Sequence, residues 1–113
     1  MSEQELVNAI IQYVTVLGGV ATRINSGMKV VTDPDSGKRY VFHGAAKGTS
    51  DIIGCLPDGR FLAIEAKDGE VKRKKTTPEQ LEFIDRVNVA GGIAFVACNI
   101  DDVIQRLEAY SRH

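Results

Sequence analysis

Three residues of this sequence have types and spacing suited to chemistry: Asp51, Glu65 and Lys67. Asp51 opens "DIIGCL", and Glu65 and Lys67 sit two apart in "RFLAIEAK". Both stretches read as strands, and "PDG" (Pro57 to Gly59) separates them. A three-residue hairpin loop places its glycine in the left-handed region beside a bulge. That loop pairs Leu56 with Arg60, Cys55 with Phe61, Ile53 with Ala63 and Asp51 with Glu65. Two carboxylates then face each other with Cβ atoms about 5 Å apart. Lys67 projects from the same face, about 7 Å along the strand from Glu65. A two-residue loop would shift the register by one and send the acids to opposite faces.

Opposed carboxylates destabilise a sheet unless something compensates. A proton, the Lys67 ammonium or a divalent cation meets that need. Hard oxygen ligands without His or Cys favour Mg²⁺ or Mn²⁺. Such an ion takes one or two carboxylates plus a substrate phosphate, the arrangement used to cleave phosphodiesters. Lys67 then orients or deprotonates the water, or stabilises the transition state. The competing readings are a strand-start acid for Asp51 and a same-face ion pair on a solvated sheet for Glu65 with Lys67.

The elements that must position these groups follow from periodicity. Leu6, Ile10, Tyr13, Val14 and Leu17 recur at helical spacing over Glu3 to Leu17, with Ser2 as cap and Gly18-Gly19 as stop. "VATRIN", "MKVVT" and "KRYVFH" read as strands, the last two joined by the turn "DPDSG". Thr77, Pro78 and Gln80 spell a capping box with proline at the first helical position. The buried face of that helix is expected at Leu81, Ile84 and Val87. "IAFVAC" reads as a buried strand, and Asn99 caps a last helix with Val103, Ile104, Leu107 and Tyr110 inside. Helices and strands in this order predict an α/β fold with helices around one mixed sheet.

Glu3 lies on the helix face of Leu6, Ile10 and Val14, whereas Glu5 lies on the wet face. Glu3 is therefore the candidate third acid, against the plain alternative of a first-turn acid stabilised by the helix dipole. Gln80 serves the capping box, the site, or both. Arg23 and Asn25 are strand-end polar groups or DNA contacts.

The chain has 113 residues and a net charge of −1, which suits one domain over residues 1–113 and argues against a simple DNA-coating protein. Charge is nonetheless uneven. Arg23, Lys29, Lys38, Arg39 and Lys47 oppose only Asp33 and Asp35 between Ala21 and Lys47, and Lys72-Arg73-Lys74-Lys75 is an unbroken basic run. That run is a solvated loop or, beside a metal site, a grip on DNA phosphates. Cys55 and Cys98 form no CxxC pair and are expected as buried thiols, so zinc ligation is disfavoured. There is no Walker loop, no GxGxxG and no Ser/His/Asp set. No apolar run approaches a membrane span, and "MSEQELVNAIIQ" opens with acids, unlike a signal peptide. Residence in the cytoplasm, of a bacterial or phage-infected cell, is the expectation.

"GTSD" with Asp51, followed by "IEAK" with Glu65 and Lys67, resembles the D…ExK core of the PD-(D/E)XK nucleases. "RINSG" (Arg23–Gly27), Gly48-x-x-Asp51 and "TPEQ" with Gln80 narrow the resemblance to the VRR-NUC, or virus-type replication-repair, nuclease domains. It spans nearly the whole chain. It implies a restriction-endonuclease-like core in αβββαβ order. It also implies Mg²⁺ or Mn²⁺ held by Asp51, Glu65 and the Ala66 carbonyl, with Lys67 catalytic, Glu3 a helix-borne acid and Gln80 accessory. Ser50 departs from the pattern, in which proline often precedes the aspartate.

The expected activity is metal-dependent DNA endonuclease cleavage of branched DNA such as Holliday junctions. Arg23, Asn25, Lys47, Lys72, Arg73, Lys74 and Lys75 are the expected DNA contacts. A homodimer would suit a two-fold branched substrate. The alternatives are a nickase or flap nuclease working with a partner helicase, and a non-catalytic DNA-binding module retaining the fold.

Overall fold

A computed structural model describes residues 1–24 and 28–111, with Met28, Lys29, Phe42 and His43 described in backbone only. Asn25, an expected DNA contact, falls outside the described residues, as does most of "RINSG".

The first helix, α1 (Glu3–Leu17), begins where Ser2 and Glu5 form a reciprocal capping box, and stops at Gly18 in the left-handed region. Its apolar stripe buries Leu6, Val7, Ile10, Val14 and Leu17. The strands β1 (Val20–Arg23), β4 (Ile52–Cys55), β5 (Phe61–Ala66) and β6 (Ile93–Ala97) form one mixed sheet in the order β1-β4-β5-β6. β4 is antiparallel to both β1 and β5, and β6 is parallel to β5. The parallel pair needs a crossover. It is made by the one-turn helix α2 (Glu70–Arg73) and by α3 (Pro78–Val89).

β5 is interior to the sheet and buried from Leu62 to Ala66. One face packs Leu62, Ile64 and Ala66, with Ile52, Leu56 and Phe95, against α1 and against Val103 and Leu107 of α4 (Ile100–Leu107). The other face carries Ala63 and Glu65. Beyond β6, the Asn88 amide bonds both the N–H and the C=O of Ala94 at 2.9 Å. It occupies a rung that an exposed strand edge would otherwise offer to another chain.

The architecture is the expected mixed α/β sheet flanked by helices, with four differences. First, β2 (Met28–Thr32) and β3 (Arg39–His43) form a separate two-stranded ribbon instead of joining the sheet. Their apolar residues divide between both faces, Val30 opposite Val41 and Val31 opposite Tyr40, so no single face invites a helix. Second, α3 has no fully buried residue, and Leu81 is 52% exposed. The strand face beneath it offers small Ala63 and charged Glu65 rather than large apolar side chains. Third, Cys55 is exposed, because it ends β4 beside the exposed Val20 and Phe61; Cys98 is buried as expected. Fourth, the basic run begins inside α2 instead of lying wholly in a loop. No helix among the described residues is long and apolar enough to cross a membrane.

Gly48 fixes the loop that delivers Asp51. Its φ is +92°, and a Cβ there would lie 2.6 Å from the Glu79 carbonyl oxygen in the first turn of α3. Any side chain meets both a strained backbone and a backbone clash. Gly48→Ala is expected to lower the unfolding free energy by about 2 kcal/mol or more in urea titration. Gly37→Ala, also at positive φ but with nothing within 4 Å, should cost less.

Candidate active site

The turn Pro57-Asp58-Gly59 sets the register. Gly59 has φ +91° and donates its N–H to the Leu56 carbonyl at 2.8 Å, and Leu56 N–H bonds Arg60 O at 2.9 Å. Asp58 accepts from the Arg60 N–H at 3.0 Å and pairs with its guanidinium at 3.3 Å. The ladder pairs Cys55 with Phe61, Ile53 with Ala63 and Ile52 with Ile64, the expected three-residue-loop register. Asp51 immediately precedes β4 and continues that register opposite Glu65. Its carbonyl accepts the Ile24 N–H at 2.7 Å, which ties it to the end of β1.

The two acids are cross-tied through the opposing backbone. Glu65 Oε2 accepts the Asp51 N–H at 3.3 Å, and Asp51 Oδ2 accepts the Ala66 N–H at 3.0 Å. Glu65 Oε1 accepts from Gln80 Nε2 at 2.9 Å and lies 3.6 Å from Lys67 Nζ. Glu65 is only 2% exposed, and the Lys67 side chain 17%. Lys67 is anchored by its own N–H on Ala97 O at 2.9 Å, so the parallel β5–β6 pairing aims it. Gln80 plays both expected roles. Its Oε1 accepts the Thr77 N–H at 2.9 Å in the capping box while its Nε2 reaches Glu65.

Burial is the main reason the Glu65 carboxyl is pushed up to about 7. The Asp51 charge and a carboxyl–carboxyl hydrogen bond add to it, and Lys67 and the Asp51 N–H oppose it. Near neutral pH the dyad therefore tends to hold a proton, and a cation that replaces the proton gains the full charge of both oxygens.

The other expected residues are arranged less tightly. Glu3 is half-buried in the first turn of α1. Among the described residues no third Asp, Glu, His or Cys joins Asp51 and Glu65 in a metal-sized group. The Arg23 guanidinium donates to the neighbouring Gln4 amide oxygen, and Arg23 pairs with Ile52 next to Asp51. The start of α1 and the dyad thus share one end of the sheet. Lys47 is exposed, 3.8 Å from Glu79. Lys72, Arg73, Lys74 and Lys75 are exposed; Arg73 is 3.6 Å from Glu70 and touches the Cys98 sulfur at 4.0 Å. A cavity of about 840 Å³ lies on the α3 side nearer the hairpin turn, against Arg60, Phe61, Phe83 and Val87; none of the four converging residues lines it.

Sequence reasoning missed Gln4, and it named Ser50 only as a departure from the family pattern. Gln4 orients Arg23, and an exposed polar residue in a first helical turn gives no signal of that. Ser50, directly before Asp51, is 1% exposed, and its hydroxyl has no hydrogen-bond partner among the described residues. A lone polar group costs about 1–3 kcal/mol when buried unpaired. Its signal was present: a small polar residue where the resemblance leads one to expect proline.

Because the Glu65 carboxyl is raised from 4.5 to about 7, the folded chain holds a proton that the unfolded chain has released over that interval. Stability therefore falls as pH rises from about 4.5 to about 7 and is flat in this contribution on either side. In metal-free buffer, Glu65→Gln should match wild type at pH 4.5 and exceed it by a few kcal/mol at pH 8. Paired thermal melts across this range measure the difference. In comparisons with known proteins, the chain matches no family model and no curated protein.

Proposed function

We propose that this protein is a divalent-cation-dependent DNA endonuclease that hydrolyses phosphodiester bonds. The observation that carries this reading is the convergence of Asp51, Lys67 and Gln80, all partly exposed, on the buried Glu65 at one sheet end. A chain that needed only structure there would gain more from apolar residues, because two opposed acids, one of them buried, are costly. The antiparallel β4–β5 pair, the following helix and the parallel β6 also follow the order expected of a restriction-endonuclease-like core.

The donor set fits a hard cation. Asp51 and Glu65 supply carboxylate oxygens, and the Ala66 carbonyl, in the peptide that joins Ala66 to Lys67, lies beside them in sequence. Among the described residues no sulfur or imidazole joins them, as Mg²⁺ or Mn²⁺ prefers. When bound, the ion would supply Lewis acidity and neutralise charge on the phosphate oxygens. The residues do the rest. Gln80 and the Asp51 N–H hold Glu65 in one orientation. The Lys67 ammonium, 3.6 Å from Glu65, would orient the water that attacks phosphorus in line with the departing 3′-oxygen, or relay its proton. The P–O3′ bond would break as the new P–O bond forms, leaving a 5′-phosphate and a 3′-oxygen that takes up a proton to become the 3′-hydroxyl. Lys72, Arg73, Lys74 and Lys75 would grip flanking phosphates by counterion release. The likeness to VRR-NUC domains supports a branched substrate such as a four-way junction.

Labelled single strand, duplex, flap, fork and four-way junction incubated with Mg²⁺ or Mn²⁺ test the reading. Junction cleavage by wild type is expected, with Asp51→Ala and Lys67→Ala reduced ~10²–10⁴-fold and Gln80→Ala ~10–100-fold. Absence of metal-dependent cleavage of every substrate would sink the enzyme. In a separate binding assay, Lys74→Ala with Lys75→Ala should lessen the slope of log K against log salt by about 2.

A further inference from the structure

We propose that Arg106, with Arg73 and Lys74, forms a phosphate-binding cleft beside β6 that holds the DNA strand next to the phosphate being cut. The inference rests on the nuclease reading and adds to it a contact on α4. A cleft of about 450 Å³ is walled by Leu81, Ile84 and Asn88 of α3, the helix stripe opposite the one that lines the larger cavity. The exposed Leu81 thus faces a cleft rather than the core. Three cations line this cleft, Arg73, Lys74 and Arg106, and no acid does. The larger cavity instead sets Glu79 and Glu82 among its cations.

The cations are available to an anion. The Arg106 guanidinium lies over the Phe95 ring, 4.6 Å from its centroid, and has no hydrogen bond or ion pair among the described residues. Stacking fixes the guanidinium plane and leaves its N–H edge free to donate. Asp102, one turn earlier on α4, is engaged by the Cys98 N–H at 2.8 Å instead of by Arg106. The Lys74 ammonium is likewise unpaired among the described residues. Arg73 pairs with Glu70 at 3.6 Å, but the Glu70 side chain is 71% exposed, and such surface pairs are weak.

The cleft adjoins the dyad. Parallel pairing sets Val96, which lines the cleft, beside Glu65, and Asp51 lies opposite Glu65 on its other side. Asp51, Glu65 and Val96 therefore form one row across the sheet, at strand spacings of about 4.8 Å. Phosphates of one duplex strand advance about 3.4 Å each along the helix axis, so a strand cut at the dyad reaches the cleft within a few phosphates. Leu81 and Ile84 offer apolar surface to sugars and bases while the cations take phosphates. A protein strand is a poorer occupant, because Asn88 already bonds both backbone groups of Ala94 at this edge.

Binding measured apart from cleavage tests the cleft. The full chain carrying Asp51→Ala is titrated in EDTA against a fluorescein-labelled single strand and a labelled four-way junction, by anisotropy from about 50 to 200 mM salt. Arg106→Gln added to that chain should weaken binding about 3–10-fold and lessen the slope of log K against log salt by about 1. Arg106→Lys should restore the slope but not the full affinity, with thermal melts showing both variants folded. Lys38→Gln removes the same charge from another ring-stacked cation, over Tyr40, and should change neither quantity. Arg106→Gln that binds like its parent overturns the cleft even if wild type cuts DNA. An equal effect of Lys38→Gln assigns the change to net charge and also overturns it. Inorganic phosphate that displaces the DNA at matched ionic strength would assign the cations to a free phosphate and overturn the strand. Absence of metal-dependent cutting with the Arg106 effect intact removes the nuclease and keeps the cleft as a DNA site. A parent chain that binds neither DNA overturns both.

Discussion

The structure turns on the mutual repulsion of two carboxylates that the sheet forces together. Asp51 and Glu65 face each other across the β4–β5 pair, and each accepts a hydrogen bond from the backbone of the opposite strand. Neither can turn away without abandoning that bond. The surroundings are organised around this conflict. Lys67 and Gln80 lie against the same Glu65 oxygen, one charged and one neutral. The Ile24 N–H holds the Asp51 carbonyl, and Gly48 lets the preceding loop sit against α3. A core built for stability alone would have placed apolar residues here.

The conflict was legible in the sequence because a hairpin loop of known length converts numbering into opposition. "PDG" contains a glycine able to adopt φ +91°, and that conformation fixes which residue meets which. The Thr77–Gln80 capping box was equally readable, since it is local chemistry within one turn. What escaped reading was non-local. Sequence neighbours suggested that β2 and β3 would extend the sheet, but β4 lies beside β1 instead. Leu81 was expected inside because periodicity identifies a stripe without saying what lies beneath it. Gln4 reaching Arg23 depends on where α1 ends up against β1, which no local pattern encodes.

The two halves of the molecule manage exposed strand edges differently. At β6, Asn88 caps Ala94 from its own chain, so that rung is satisfied internally. The ribbon has no comparable side-chain cap on its β3 rungs among the described residues, and it displays valines beside them.

Gln80 belongs to two structures at once. It closes the first turn of α3 through Thr77, and it holds Glu65 through the other end of the same amide. The start of a helix and the orientation of a buried acid are therefore one mechanical unit. A ligand that draws Glu65 toward itself pulls on the helix cap, and fraying of that cap loosens the acid. Amide exchange at Gln80 and Leu81, whose N–H groups bond Thr77 in this first turn, would thus report occupancy of a site on the neighbouring strand.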